Sequence, residues 1–132
     1  MIVWDDSLST GVAEIDVQHQ RLIDKYNELE AALDAGNGEG RLVAGELLDF
    51  LQFYVVWHFE REEVCMHEWQ CPIAAVNQKA HAEFVAMFGE FYERWQTGSM
   101  STALALETFG ELGRWIENHI RGIDSGMRGC MP

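Results

Sequence analysis

The chain has 132 residues, 48% of them hydrophobic, and a formal net charge of −13, which suits one compact domain with a real core spanning 1–132. That charge argues against nucleic acid and anionic membrane surfaces as partners, since both repel an acidic protein. No apolar run reads as long enough to insert in a bilayer, and Met1-Ile2-Val3-Trp4-Asp5-Asp6 lacks the basic start and apolar middle of a signal peptide, so the cytoplasm is the expected compartment.

Residues 1–11 read as an extended arm, with Trp4 as its anchor on the body, and the arm as a whole is placed at about 1–14. Asp16 is the expected N-cap of a first helix, along which Ile15, His19, Leu22, Ile23, Tyr26, Leu29 and Leu33 recur at helical spacing. Ala35-Gly36-Asn37-Gly38 should stop it. A second helix is expected from about Glu39–Arg41 to Trp69, closed by Gln70-Cys71-Pro72. A third runs from Ile73 or Ala74 to Gln96, with Ile73, Asn77, His81, Phe84, Phe88, Phe91 and Trp95 on its inner stripe. Ser101 or Thr102 caps a fourth, whose inner side carries Ala105, Phe109, Leu112, Trp115, Ile116, His119 and Ile123. No strand alternation interrupts this pattern. The expected fold is all-α, an antiparallel up-down-up-down four-helix bundle over about 15–128 with an N-terminal arm.

The inner stripes carry polar groups where a core should be. His58 and Glu62, four apart, share one helix face with Leu47, Leu51, Tyr54, Val55, Cys65, Met66 and Trp69. A buried carboxylate is costly unless a cation or hydrogen-bond donors compensate it. Of the five histidines, His19, His58, His81 and His119 fall on the apolar stripes of four different helices, while His67 lies half a turn from the His58 face and should be exposed. One histidine on an apolar face is ordinarily a core or edge residue. Four on four helices, with Glu62 on one and Asp124 just after another, point to a metal site. Asp124 is about 140° round from His119 on a regular helix, but Gly122 lets the last turn change pitch and bring it inward.

Imidazole and carboxylate without thiolate suit iron, manganese or zinc. The number of inward donors exceeds a single tetrahedral zinc site, so a dinuclear non-haem iron centre fits best. The cysteines, Cys65, Cys71 and Cys130, are odd in number and are expected as reduced structural thiols. Phe50, Phe53, Trp57, Phe84, Phe88, Phe91 and Trp95 are read as packing residues, Met66, Met87 and Met127 as gap-fillers, and Glu60, Glu63 and Glu90 as solvated, with a place behind a metal ligand as the alternative for Glu63.

The sequence resembles the bacterial hemerythrins. The resemblance rests on Trp4, Ile15-Asp16-Val17-Gln18-His19, His58-Phe59-Glu60-Arg61-Glu62-Glu63, His81 with Phe84, and Trp115-Ile116-Glu117-Asn118-His119 with Asp124. It covers nearly the whole chain. It implies a four-helix bundle holding two non-haem iron ions, bridged by oxide or hydroxide, that bind O2 reversibly. By that likeness His19 and His58 hold the iron that takes O2, His81 and His119 hold the other, and Glu62 and Asp124 bridge the pair. The family pattern on the third helix is His-x-x-x-His, whereas this chain has Asn77-Gln78-Lys79-Ala80-His81. Asn77 then either coordinates through its amide oxygen or stands beside a water that fills the place.

O2 carriage, storage or sensing is therefore the expected function, without an enzymatic role. Two alternatives stand beside it. One is a di-iron redox enzyme that turns over O2, peroxide or NO because Asn77 replaces an imidazole, with azide as a further small ligand. The other is a structural or metal-storage bundle.

Overall fold

The computed structural model describes all 132 residues and contains helices only. The helices are α1 (Ala13–Ala35), α2 (Gly38–Glu68), α3 (Ala74–Gln96) and α4 (Thr102–Gly122), with 3-10 turns at Asp6–Leu8 and Asp124–Gly129. α1 packs on α2 and α4, α2 on α3, and α3 on α4. The short connections make each helix antiparallel to the next, so the four close into an up-down-up-down bundle.

The ends follow local chemistry. α1 stops at Gly36, whose φ of +64° is the left-handed conformation glycine adopts without strain. Asn37 caps α2 by accepting from the Gly40 N–H at 2.6 Å, and Ser101 caps α4 by accepting from the Leu104 N–H at 3.1 Å. Asp16 behaves differently from expectation. α1 begins at Ala13, one turn earlier, with Val12 in the cap position and no side-chain cap. Asp16 instead reaches back to the arm, accepting from the Thr10 N–H at 2.7 Å, the Ser9 hydroxyl at 2.7 Å and the Thr10 hydroxyl at 2.8 Å.

The arm is anchored along its length. Asn27 pairs with both the N–H (2.9 Å) and the carbonyl (2.8 Å) of Ile2, and the Met1 amine lies 2.9 Å from Glu30. Ile2 and Leu8 are buried in the core, and the half-buried Trp4 packs against it.

The core is divided. A large apolar cluster includes Leu22, Tyr26, Leu48, Val55, Phe84, Phe109 and Ile116, while Ile15, Met66, Cys71 and Met127 form a small one. Between them along every helix lies the polar layer: His19 follows Ile15 and precedes Leu22, and His58 and Glu62 fall between Val55 and Met66.

Four expectations are corrected. Cys71 and Cys130 form a disulfide with Cα atoms 5.3 Å apart across a sequence separation of 59, leaving only Cys65 free. The 3-10 turn folds back onto the α2–α3 connection, a proximity invisible in the spacing, and the argument from cysteines for a reducing compartment falls with it. Phe53 is 75% exposed and Trp57 40%, because both lie on the side of α2 away from His58. Met87 is exposed as well, unlike the buried Met66 and Met127. Finally, α2 is long and apolar enough, with a mean hydropathy of 1.2 over 18 residues, to meet the length and composition of a membrane-crossing helix. Its apolar content serves packing on α1 and α3 and surrounds two buried polar residues, His58 and Glu62.

Two predictions follow from packing. The Tyr26 hydroxyl donates to the Phe109 carbonyl at 2.9 Å and lies over Gly113, where a Cβ would stand 2.1 Å from the hydroxyl oxygen. Gly113→Ala should therefore lower stability by about 1–3 kcal/mol through overpacking. Gly89→Ala, a helical site with open space around it, should raise stability by about 0.4–1 kcal/mol; urea titration of the two variants checks the opposite signs. Opening the Cys71–Cys130 bond with a phosphine reductant should cost about 2–4 kcal/mol, measured as a drop in Tm that the Cys71→Ser/Cys130→Ser variant no longer shows.

Candidate metal centre

The four inner-stripe histidines meet at one level of the bundle. His19 comes from α1, His58 and Glu62 from α2, His81 from α3, and His119 from α4. Asp124 comes from the first residue of the 3-10 turn. The change of helix type after Gly122 supplies the rotation that a continuous α-helix would have denied it. All six are at most 6% exposed.

The carboxylate oxygens divide the imidazoles into two sets. Glu62 Oε2 lies 3.1 Å from His19 Nε2 and 3.3 Å from His58 Nε2, while Oε1 lies 3.1 Å from His81 Nε2. Asp124 Oδ2 is 3.2 Å from His19 Nε2 and Oδ1 is 3.1 Å from His119 Nε2. Two donor groups result, each able to hold a cation: His19, His58 and Glu62; and Glu62, His81, His119 and Asp124.

The spacing fits metal coordination better than hydrogen bonding. Donors about 2.0–2.2 Å from one ion and about 90–109° apart stand roughly 3.0–3.5 Å from each other. His58 Nε2, His81 Nε2, His119 Nε2 and Asp124 Oδ1 are buried and satisfied by no hydrogen bond despite these short separations. Buried polar atoms without partners are uncommon, and a cation in each donor group would account for all four.

The electrostatics agree. Burial works against charging His19, yet the carboxylates of Asp124 and Glu62 override it and hold its pKa up at about 9. Burial also opposes the charge on Glu62, but the imidazoles of His19, His58 and His81 keep it well below the usual carboxylate range. Burial pushes His58 down. The layer as a whole favours positive charge.

Several supporting residues went unseen in the sequence. Gln18 Oε1 accepts from His58 Nδ1 at 2.7 Å, which fixes the tautomer that turns the Nε2 lone pair inward. Tyr54 in turn donates to the Gln18 carbonyl at 3.0 Å. Gln18 stands about 100° from His19 on α1, so the stripe pattern alone could not select it. Glu63, read as solvated, is half-buried with Oε2 3.5 Å from His81 Nδ1. Phe59 stacks on His81 with ring centroids 3.7 Å apart, and Trp115 stacks on His119 at 4.4 Å. His67 is exposed. Asn77 joins the cluster fully buried, its Nδ2 2.9 Å from Glu62 Oε1.

Comparison with known proteins gives the family and the fold. The profile of the family described as "Hemerythrin HHE cation binding domain" matches residues 10–129. The bacteriohemerythrin of Stenotrophomonas maltophilia is 35% identical over 124 residues, 94% of this chain and 77% of that protein. The bacteriohemerythrin of Pseudomonas aeruginosa is 34% identical over 95% of this chain and 78% of its own length. A crystal structure of wild-type hemerythrin superposes with a TM-score of 0.87 at 26% identity, covering 99% of this chain and 98% of the other. With four helices, a matched profile over most of its length and a histidine–carboxylate cluster able to bind metal, the chain belongs to the hemerythrin family.

Proposed function

We propose that this chain is an O2-binding protein that holds two iron ions, one against His19 and His58 and the other against His81 and His119, with Glu62 and Asp124 shared between them. The observation that carries this reading is the division of each carboxylate, Oε1 from Oε2 and Oδ1 from Oδ2, between the two histidine sets. A pair of ferrous ions supplies the two electrons that O2 takes up on binding and returns on release. The chain's own part is positional. Gln18, Phe59 and Trp115 hold imidazoles in orientation. Leu22, Val55, Phe84 and Ile116, all buried, keep water from the large apolar side of the layer. A dry surrounding slows loss of reduced oxygen species and favours return of O2 over its consumption.

A second reading, a redox enzyme that turns over O2, peroxide or NO, is favoured by one observation. Asn77 occupies the α3 face one turn before His81, where the family pattern has a histidine. The two readings separate on persistence. Protein loaded with Fe(II) under anaerobic conditions and then exposed to O2 should develop visible charge-transfer absorption, with two irons per chain by metal analysis. The absorption should vanish when O2 is removed. Rapid one-way conversion to the ferric form would replace carriage with the enzymatic reading.

The shared carboxylate makes a further expectation. Glu62→Ala removes one oxygen from each donor group and should cost at least one ion per chain at equal free metal. Retention of both ions in that variant would rule out Glu62 as the bridge. Metal should also stabilise the fold by about 2.7 kcal/mol at a free concentration one hundred times Kd, because it compensates Glu62 and Asp124 in an apolar interior. Melting curves of the metal-free and loaded protein should differ accordingly, and superimposable curves would contradict the site.

A further inference from the structure

Asn77 is fully buried, and the two atoms its amide nitrogen faces are both acceptors. Nδ2 lies 2.9 Å from Glu62 Oε1 and 3.2 Å from the Met66 sulfur. The orientation of an amide is assigned from its surroundings, and here the hydrogen bonds select one; the other would need a cation shared between the amide oxygen and Glu62. Turned over, the amide would set its oxygen against a carboxylate oxygen and a thioether, neither of which can donate. The nitrogen therefore faces the donor cluster. An amide nitrogen has its lone pair delocalised into the carbonyl and does not coordinate a cation while it carries its protons. Oδ1, on the other side of the amide, is buried with no partner.

We propose that Asn77 is a positioning residue and not a ligand: it donates to Glu62 Oε1, so that only His81, His119, Glu62 and Asp124 hold the second ion. This rests on the dinuclear reading above and specifies how one half of it is built. Glu62 Oε1 is the oxygen turned toward His81, and the Asn77 hydrogen bond fixes the rotation of the carboxylate about its last torsion, which is otherwise broad. Each ion then has two imidazoles and shares the same two carboxylates. The unpartnered Oδ1, on the far side of the amide, is left to accept from a buried water. Glu63, 3.5 Å from His81 Nδ1, adds negative charge behind one of the two imidazoles left to that ion.

The test uses cobalt(II) as the probe, so that it does not depend on O2 chemistry. The full chain is loaded with two equivalents at pH 8, EDTA is added, and loss of each ion is followed by its d–d absorption. In Asn77→Asp a carboxylate replaces the donor beside Glu62 Oε1. Release of one ion should accelerate about tenfold or more, the scale on which groups behind a ligand act, while the other ion stays as in the wild type and reports that the bundle is folded. In Asn77→His an imidazole is added, and the same ion should be released more slowly with a changed d–d spectrum. Slower or unchanged release in Asn77→Asp, or unchanged or faster release in Asn77→His, would show that the asparagine position is used otherwise and overturn the proposal. Uptake of a single cobalt by the wild type would overturn both this proposal and the dinuclear reading. Failure of the iron protein to take up O2 would remove the O2 function and leave the cobalt result standing.

Discussion

Glu62 and Asp124, at 0% and 1% exposure, sit in the middle of an apolar bundle. Two carboxylates brought that close together out of water repel each other and lose hydration that their few hydrogen bonds replace only in part. The fold answers with four imidazoles, one from each helix, set around the two carboxylates. Every helix is tied to this layer, so helix length, register and rotation are all constrained by it. The apolar clusters above and below can tolerate volume-conserving exchange; the layer cannot, because its members are mutually dependent and removing one strands the others.

Asp124 is the member with the least helical support. It lies in a six-residue 3-10 turn whose far end is joined through Cys130 to Cys71 at the α2–α3 connection. Met127, within the same turn, is fully buried against Ile15 and Met66. The turn is thus held by packing in its middle and by a covalent bond at its end. The small apolar cluster acts as the floor that keeps one carboxylate level with the other.

The helices and their inner stripes were legible because burial on one face of an α-helix imposes a 3.6-residue period, and most residues placed inside by that period are buried, with Leu47, Cys65, Trp69, Ile73, Trp95, Trp115 and Ile123 half-buried at the stripe edges and helix ends. The histidines could be read for the same reason: an imidazole at an apolar repeat position is conspicuous, and four of them on four helices more so. Features set by long-range contact were not legible. The Cys71–Cys130 pairing depends on the path of the last turn, and Gln18 is selected by the direction of His58 Nδ1 rather than by any repeat. Phe53 and Trp57 have core-like chemistry, but angular position on α2 decides their exposure. Asp16 has the chemistry of a cap, and the arm folding back over it turned that chemistry toward Thr10 instead of its own helix. Asn77 was placed correctly on the inner face by period, yet which of its two amide atoms faces Glu62 is decided only by the neighbours in three dimensions.

The order of the donor groups along the chain has a consequence for biosynthesis. His19, His58 and Glu62 all lie on the α1–α2 hairpin, whereas the group that includes His81, His119 and Asp124 needs every later element. At a synthesis rate of about 5–20 residues per second, roughly 3–12 s separate the making of Glu62 from that of Asp124. During that interval a nascent hairpin already carries three donors but lacks the second carboxylate and the walls that the finished bundle erects around them. Divalent ions compete for such a partial site in the order of their intrinsic affinity for nitrogen and oxygen, with copper and zinc ahead of iron. If the centre holds the irons proposed above, their selection falls to the ions available around the ribosome, or to exchange after the bundle closes, and not to the geometry of the completed centre alone.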